Sequence, residues 1–176
     1  MIKKILITVF FLVNFQIHNI DSRGFKVKIG DLVPNFEFEL LDGRKISIND
    51  LKGNVILIQF TASWCGVCRK EMPELEKRIW QKFKNEDFFM VAFDYMEDIT
   101  TAKEFIKETQ ITYPVSMDSE GEIFNLFSAP KQGVTRNIVI NKKGEIYFLT
   151  RLFDPDEFNE MILKIQSELQ SWIYNF

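Results

Sequence analysis

Apolar residues change their rhythm several times along the chain, and each change predicts an element. Phe36, Phe38 and Leu40 alternate with polar residues, Asp42-Gly43 supplies a tight turn, and Ile46 and Ile48 resume the alternation. A period of two on both sides of a turn predicts a β-hairpin. Val55 to Phe60 is an apolar run with one polar member, Gln59, and has the length of a buried central strand. From Arg69 to Phe83 the residues Met72, Leu75, Ile79, Trp80 and Phe83 recur at helical spacing. Phe88 to Phe93 predicts a second buried strand, Ala102 to Glu108 a helix, Tyr113 to Met117 a short extended piece and Gly121 to Phe127 a short helix. Asn137 to Ile140 and Glu145 to Leu149, separated by Asn141 to Gly144, predict a second hairpin. The last helix has a marked start, with Asp154 as N-cap, Pro155 at the first helical position and Glu157 completing a capping box. Phe158, Met161, Ile162, Ile165 and Leu169 then form one apolar stripe, which reads as core.

Strands alternating with helices predict an α/β domain, a mixed central sheet with helices on both faces. A length of 176 residues fits one such unit. The net charge of -3, with acids and bases interspersed, provides no basic footprint for nucleic acid. The N-terminus changes the picture more. Lys3 and Lys4 precede an apolar run from Ile5 to Phe15, broken by Thr8 and Asn14, which predicts an export signal over residues 1–23 and a folded domain over 24–176. The run is shorter than the ~20 apolar residues of a confident membrane span. No small-x-small tripeptide follows it, so cleavage near Ile20 to Arg23 and retention as an N-terminal membrane anchor both stay open. Export would place the domain in the periplasm or cell envelope.

The only two cysteines are Cys65 and Cys68. An exported protein meets an oxidising compartment in which such a pair persists as a disulfide, and a domain of this size does not need a short-loop bridge for stability. The pair falls between the strand ending at Phe60 and the helical spacing of Arg69 to Phe83, at the N-terminal end of that helix. Unpaired N–H groups and the helix dipole there favour a thiolate on Cys65, the expected nucleophile. Cys68, one turn inside, is placed to resolve a mixed disulfide. A structural zinc site would need two further ligands, yet the only histidine is His18 in the signal segment. Haem attachment would need histidine where Arg69 stands, and an inert disulfide remains as a third reading. Glu71, three residues beyond Cys68, lies on the same side of the helix and is placed to move protons to and from that thiol. A solvated surface glutamate fits the spacing equally well. No metal or cofactor is expected.

At these residues the chain resembles the thioredoxin superfamily, and within it the exported TlpA/ResA-like branch. The resemblance runs from about Gly30 to the last helix and is carried by Gly30 to Phe36, by Trp64-Cys65-Gly66-Val67-Cys68, by Glu71 with Pro73, and by Gly133 to Gly144. It implies a thioredoxin fold with an N-terminal β-hairpin, a nucleophilic Cys65, a resolving Cys68, an active-site glutamate at Glu71 and a helix kink at Pro73. It also implies a thiol:disulfide oxidoreductase acting as a reductant of exported proteins, fed by a membrane or soluble thiol donor. Thioredoxins proper carry a buried aspartate where this chain has Gln59, which shifts proton handling to Glu71.

The second departure is Gly133-Val134-Thr135-Arg136-Asn137, where Thr135 stands in the place of a proline that faces the cysteines across a cis bond. A non-proline cis bond costs ~2.5–4 kcal/mol, so a trans bond or a strained one is expected. Trp64, Gly66, Val67, Val134, Thr135 and Arg136 form the expected substrate-contacting set, with Val67 replacing the proline common between the cysteines. Arg136 has two readings: an inward cation serving Glu71 or the Cys65 thiolate, or a side chain turned to solvent. Two other functional classes share the fold. A thiol peroxidase expects Thr or Ser three residues before the reactive cysteine and a proline further upstream, where Ala62 and Ile58 stand. A copper-carrying binding module would want a histidine downstream of His18, and none follows.

Overall fold

The computed structural model describes residues 20–171; the signal expected over residues 1–23 therefore falls almost wholly outside the described part. The first hairpin pairs β1 (Glu37–Glu39) with β2 (Lys45–Ser47), Phe38 opposite Ile46. Gly43 closes its turn at φ +88°, a conformation that only glycine takes without cost.

The main sheet has the order β5-β4-β3-β6-β7. Strands β3 (Val55–Thr61), β4 (Phe88–Tyr95) and β5 (Val115–Asp118) run parallel, whereas β6 (Arg136–Ile140) and β7 (Ile146–Arg151) are antiparallel. Every residue of β3 is buried, which is why its sequence reads as a continuous apolar run rather than an alternation. Helix α1 (Gly66–Leu75) contains Pro73 and passes through a π-helical segment, Glu76–Trp80, into a last turn, α2 (Gln81–Phe83). A proline removes one donor of the helical ladder, and the π-helical segment begins three residues beyond it. Helix α3 (Ile99–Thr109) is capped by Asp98, whose carboxylate accepts from the Thr100 and Thr101 amides. A short α4 (Glu122–Phe127) precedes the second hairpin, and α5 (Pro155–Gln170) closes the chain. Its N-cap is Asp154, accepting from the Asp156 and Glu157 amides; the Glu157 carboxylate lies 4.0 Å from Arg23.

The two sides of the sheet are built differently. Helices α1, α3 and α5 share one side: Arg69 of α1 lies over Phe105 of α3, and Arg78 after α1 lies over Phe158 of α5. The other side is covered by α4, the first hairpin and the segment around Phe25. There Phe36, Phe38, Phe60, Phe93, Phe124 and Phe127 form edge-to-face and tilted ring contacts at 5.1–6.0 Å. Each such pair adds about 0.5–1.5 kcal/mol beyond its buried area. Helices thus flank both faces, as the strand and helix pattern predicts. Among the described residues no helix is long and apolar enough to cross a membrane.

Candidate active site

Strand β3 ends at Thr61, and the Cys65 amide donates to the Ala62 carbonyl at 3.1 Å, closing a tight turn that delivers the chain into α1. Cys65 is the N-cap of α1: its Sγ accepts from the Cys68 amide at 3.1 Å. Cys65 and Cys68 are joined in a disulfide. Cys65 is 8% exposed and Cys68 fully buried, so an incoming group reaches Cys65 first. An anionic sulfur at this N-cap would meet the first free N–H groups and the positive end of the helix.

The Thr135 hydroxyl faces both sulfurs, 2.9 Å from each, and donates to the disulfide. The peptide bond before Thr135 is trans, no cis bond occurring among the described residues, and Thr135 sits at φ +68°. A β-branched residue avoids that region. The conformation is fixed on both sides, the Thr135 amide donating to Phe60 O and the Leu152 amide to Thr135 O. Of the remaining substrate-contacting candidates, Trp64 is 62% exposed beside the disulfide, Gly66 begins α1 with open space around it, Val67 is half-buried against the core and Val134 is buried.

Glu71 is not a surface residue; it is buried on the α1 side of the sheet. Its Oε1 accepts from Asn137 Nδ2 at 2.7 Å and its Oε2 from Gln59 Nε2 at 3.2 Å. Tyr113 donates to Gln59 Oε1 at 2.9 Å, and Asn137 Nδ2 also donates to Thr150 Oγ1. Burial pushes Glu71 up to about 7, against the downward pull of the two amide donors. Tyr113 is pushed well above the usual phenol range by burial and then by the Glu71 charge. A carboxyl group that titrates near neutral pH, three residues from Cys68 on one helix, is suited to exchanging protons with a thiol.

Arg136 corrects both of its sequence-based readings. It is fully buried, and it lies on the opposite side of the sheet from Glu71. Phe60 pairs with Arg136 and Gln59 with Asn137, so strand alternation sends Asn137 to the helix side and Arg136 to the phenylalanine side. There Nε donates to Gly133 O at 2.9 Å, Nη2 donates to Arg23 O at 2.7 Å, and the guanidinium lies 4.5 Å over the Phe25 ring. Burial and the nearby Arg151 lower it to about 10, leaving it charged at neutral pH.

A profile of the AhpC/TSA family matches residues 29–149. The chain belongs to the AhpC/TSA family. Within it, the chain is 31% identical over 125 residues to the thiol-disulfide oxidoreductase ResA of Bacillus cereus, covering 71% of this chain and 70% of that one. ResA of Bacillus subtilis is 26% identical over 143 residues, 81% of this chain and 78% of that one. Among solved structures, a candidate protein disulfide isomerase from Bacteroides thetaiotaomicron is 42% identical with a TM-score of 0.81, covering 84% of this chain and 93% of that one. The sequence-based expectation of a thioredoxin-fold thiol:disulfide oxidoreductase agrees with all three.

Gln59 enters the sequence reading only as a missing aspartate, and Asn137, Tyr113 and Thr150 do not enter it as site residues. Each belongs to an apolar or alternating run. A polar residue inside a strand otherwise built to be buried is the signal that finds Gln59, Asn137 and Thr150; Tyr113 lies just before β5 and carries no such signal.

Proposed function

We propose that the protein is a reductant of disulfides in exported proteins, with Cys65 as nucleophile, Cys68 as resolving thiol and Glu71 as the group that handles protons for Cys68. In the reduced form the Cys65 thiolate attacks a substrate disulfide, forming a mixed disulfide and expelling one substrate thiolate. Cys68, giving its proton to Glu71, attacks Cys65; the Cys65–Cys68 disulfide forms and the second substrate thiolate leaves. The substrate gains two electrons and the pair loses two, ending in the oxidised state described above. The single observation that carries this reading is the asymmetry of the pair: a slightly exposed sulfur at a helix N-cap beside a buried one. Exposed Trp64 and the Val134-Thr135 loop flank Cys65 and would receive the substrate backbone. Export, whether with a cleaved signal or a retained anchor, is supported by Lys3, Lys4 and the apolar run to Phe15.

The test is a trap. Cys68→Ser should accumulate a mixed disulfide through Cys65 with a disulfide-bonded protein substrate, while Cys65→Ser should not. The wild-type pair should have a potential more reducing than about -200 mV. A mixed disulfide carried by Cys68, or a potential near that of strong oxidants, would contradict the assignment.

A further inference from the structure

Ser63 lies in the turn that presents Trp64 and Cys65, and all three of its polar groups are taken. Its amide donates to Glu97 Oε2 and its hydroxyl to Glu97 Oε1, both at 2.6 Å, and its carbonyl accepts from Arg69 Nε at 3.0 Å. Arg69 is itself held by an ion pair with Glu108 and by the Phe105 ring. The loop after β4 and helices α1 and α3 therefore meet on one residue of one turn. Beneath this clamp lies Asp94, the β4 partner of Thr61, buried and with Oδ1 lacking any hydrogen-bond partner. Its carboxyl is pushed up to about 7, by burial first, then by the charge and contact of Glu97, then by Asp98. Two carboxyl groups in contact cannot both ionise cheaply. Glu97 receives two donors from Ser63, whereas no donor reaches Asp94 Oδ1, and Asp94 holds its proton up to about pH 7.

We infer that Glu97 is a positioning residue for the turn bearing Trp64 and Cys65, and that a proton on Asp94 keeps it in place. The inference rests on the proposed exchange at Cys65. With Asp94 protonated, its O–H donates to Glu97 and the clamp is closed. When Asp94 ionises, its new charge and loss of the O–H donor push half-exposed Glu97 away, releasing Ser63. The other charged groups that face the clamp are Asp98 at the start of α3, which adds to the repulsion, and Arg69 with its partner Glu108, which holds the Ser63 carbonyl from the far side. Arg69 alone then supports the turn.

The protection of the Ser63 amide against hydrogen exchange, corrected for the intrinsic pH dependence, reads the clamp directly. In the wild type it should fall by about tenfold or more as pH rises from 6 to 8, the scale of one charge-assisted hydrogen bond. Asp94→Asn, which still donates to Glu97, should keep Ser63 protected at pH 8. Glu97→Ala should lose protection at both pH values and slow exchange with a model disulfide several-fold, while Glu97→Gln, whose carbonyl still accepts the amide, should restore both. Equal protection in the wild type and Glu97→Ala would overturn the positioning role; protection independent of pH, or lost in Asp94→Asn, would overturn the proton's part. A wild type that reduces no disulfide, yet shows this pattern at Ser63, would overturn the proposed function and leave the clamp standing.

Discussion

Arg136 and Asn137 are neighbours in β6, both polar and both fully buried, yet they belong to two different structures. Asn137 faces α1 and joins Gln59, Glu71, Tyr113 and Thr150 in a network centred on an acid that titrates near 7. Arg136 faces the phenylalanines and ties the backbone at Arg23 and Gly133 to the sheet. The same degree of burial thus serves chemistry on one side and attachment of the N-terminal segment on the other. What separates them is the partner: Asn137 reaches an ionisable group whose charge can change at neutral pH, whereas Arg136 stays charged and reaches only carbonyls and rings.

The comparison breaks most easily at Arg136. Arg136→Ala removes a large buried side chain with two hydrogen bonds and should destabilise the fold by on the order of 4 kcal/mol in chemical denaturation. The pH profile of disulfide exchange should not move. A changed profile would bring Arg136 back into the site. Next is Glu71→Gln. Because the folded-state value of Glu71 is raised, the unfolded chain loses this proton first, at about 4.5, and the folded protein only near 7. Its contribution is full below pH 4.5 and is lost as pH rises through 7, a fall on the order of 3 kcal/mol. Asp94 falls with the same sign, so the difference between wild type and Glu71→Gln isolates Glu71: the variant should show the shallower decline between pH 4.5 and 7.5. Parallel curves would place the Glu71 carboxyl in ordinary surroundings. The smallest effect belongs to Tyr113→Phe, which leaves Gln59 Oε1 without its donor, costs about 1 kcal/mol, and raises the Glu71 midpoint by less than about one pH unit as followed by carboxyl NMR.

Much of this was legible before any coordinates. The continuous run of β3, the two hairpins, the Asp154-Pro155 start of α5 and the placement of the cysteines between strand and helix all follow from local pattern. The cap is a matter of a few adjacent residues, and the buried strand of composition alone. What stayed out of reach depends on pairing between distant strands. The environment of Glu71 is set by Gln59 and Asn137, which meet only because β3 and β6 pair in one register, and a register slip of one residue would exchange Asn137 for Arg136. Asp94 and Glu97 escaped for a similar reason: Glu97 meets Ser63 across 34 residues of chain, Asp94 lies beside Thr61 only through the pairing of β3 with β4, and no spacing rule joins them. The π-helical segment after Pro73 shares the apolar spacing of an ordinary helix closely enough that periodicity does not distinguish it.

The central claim is that the two sulfurs are unequal and that Cys65 is the reactive one. Site-resolved alkylation of the reduced protein across pH, read by mass spectrometry, tests it most directly. Cys65 should be modified first, with a midpoint below the ~8.5 of a free thiol; modification of Cys68 ahead of Cys65 would contradict the account.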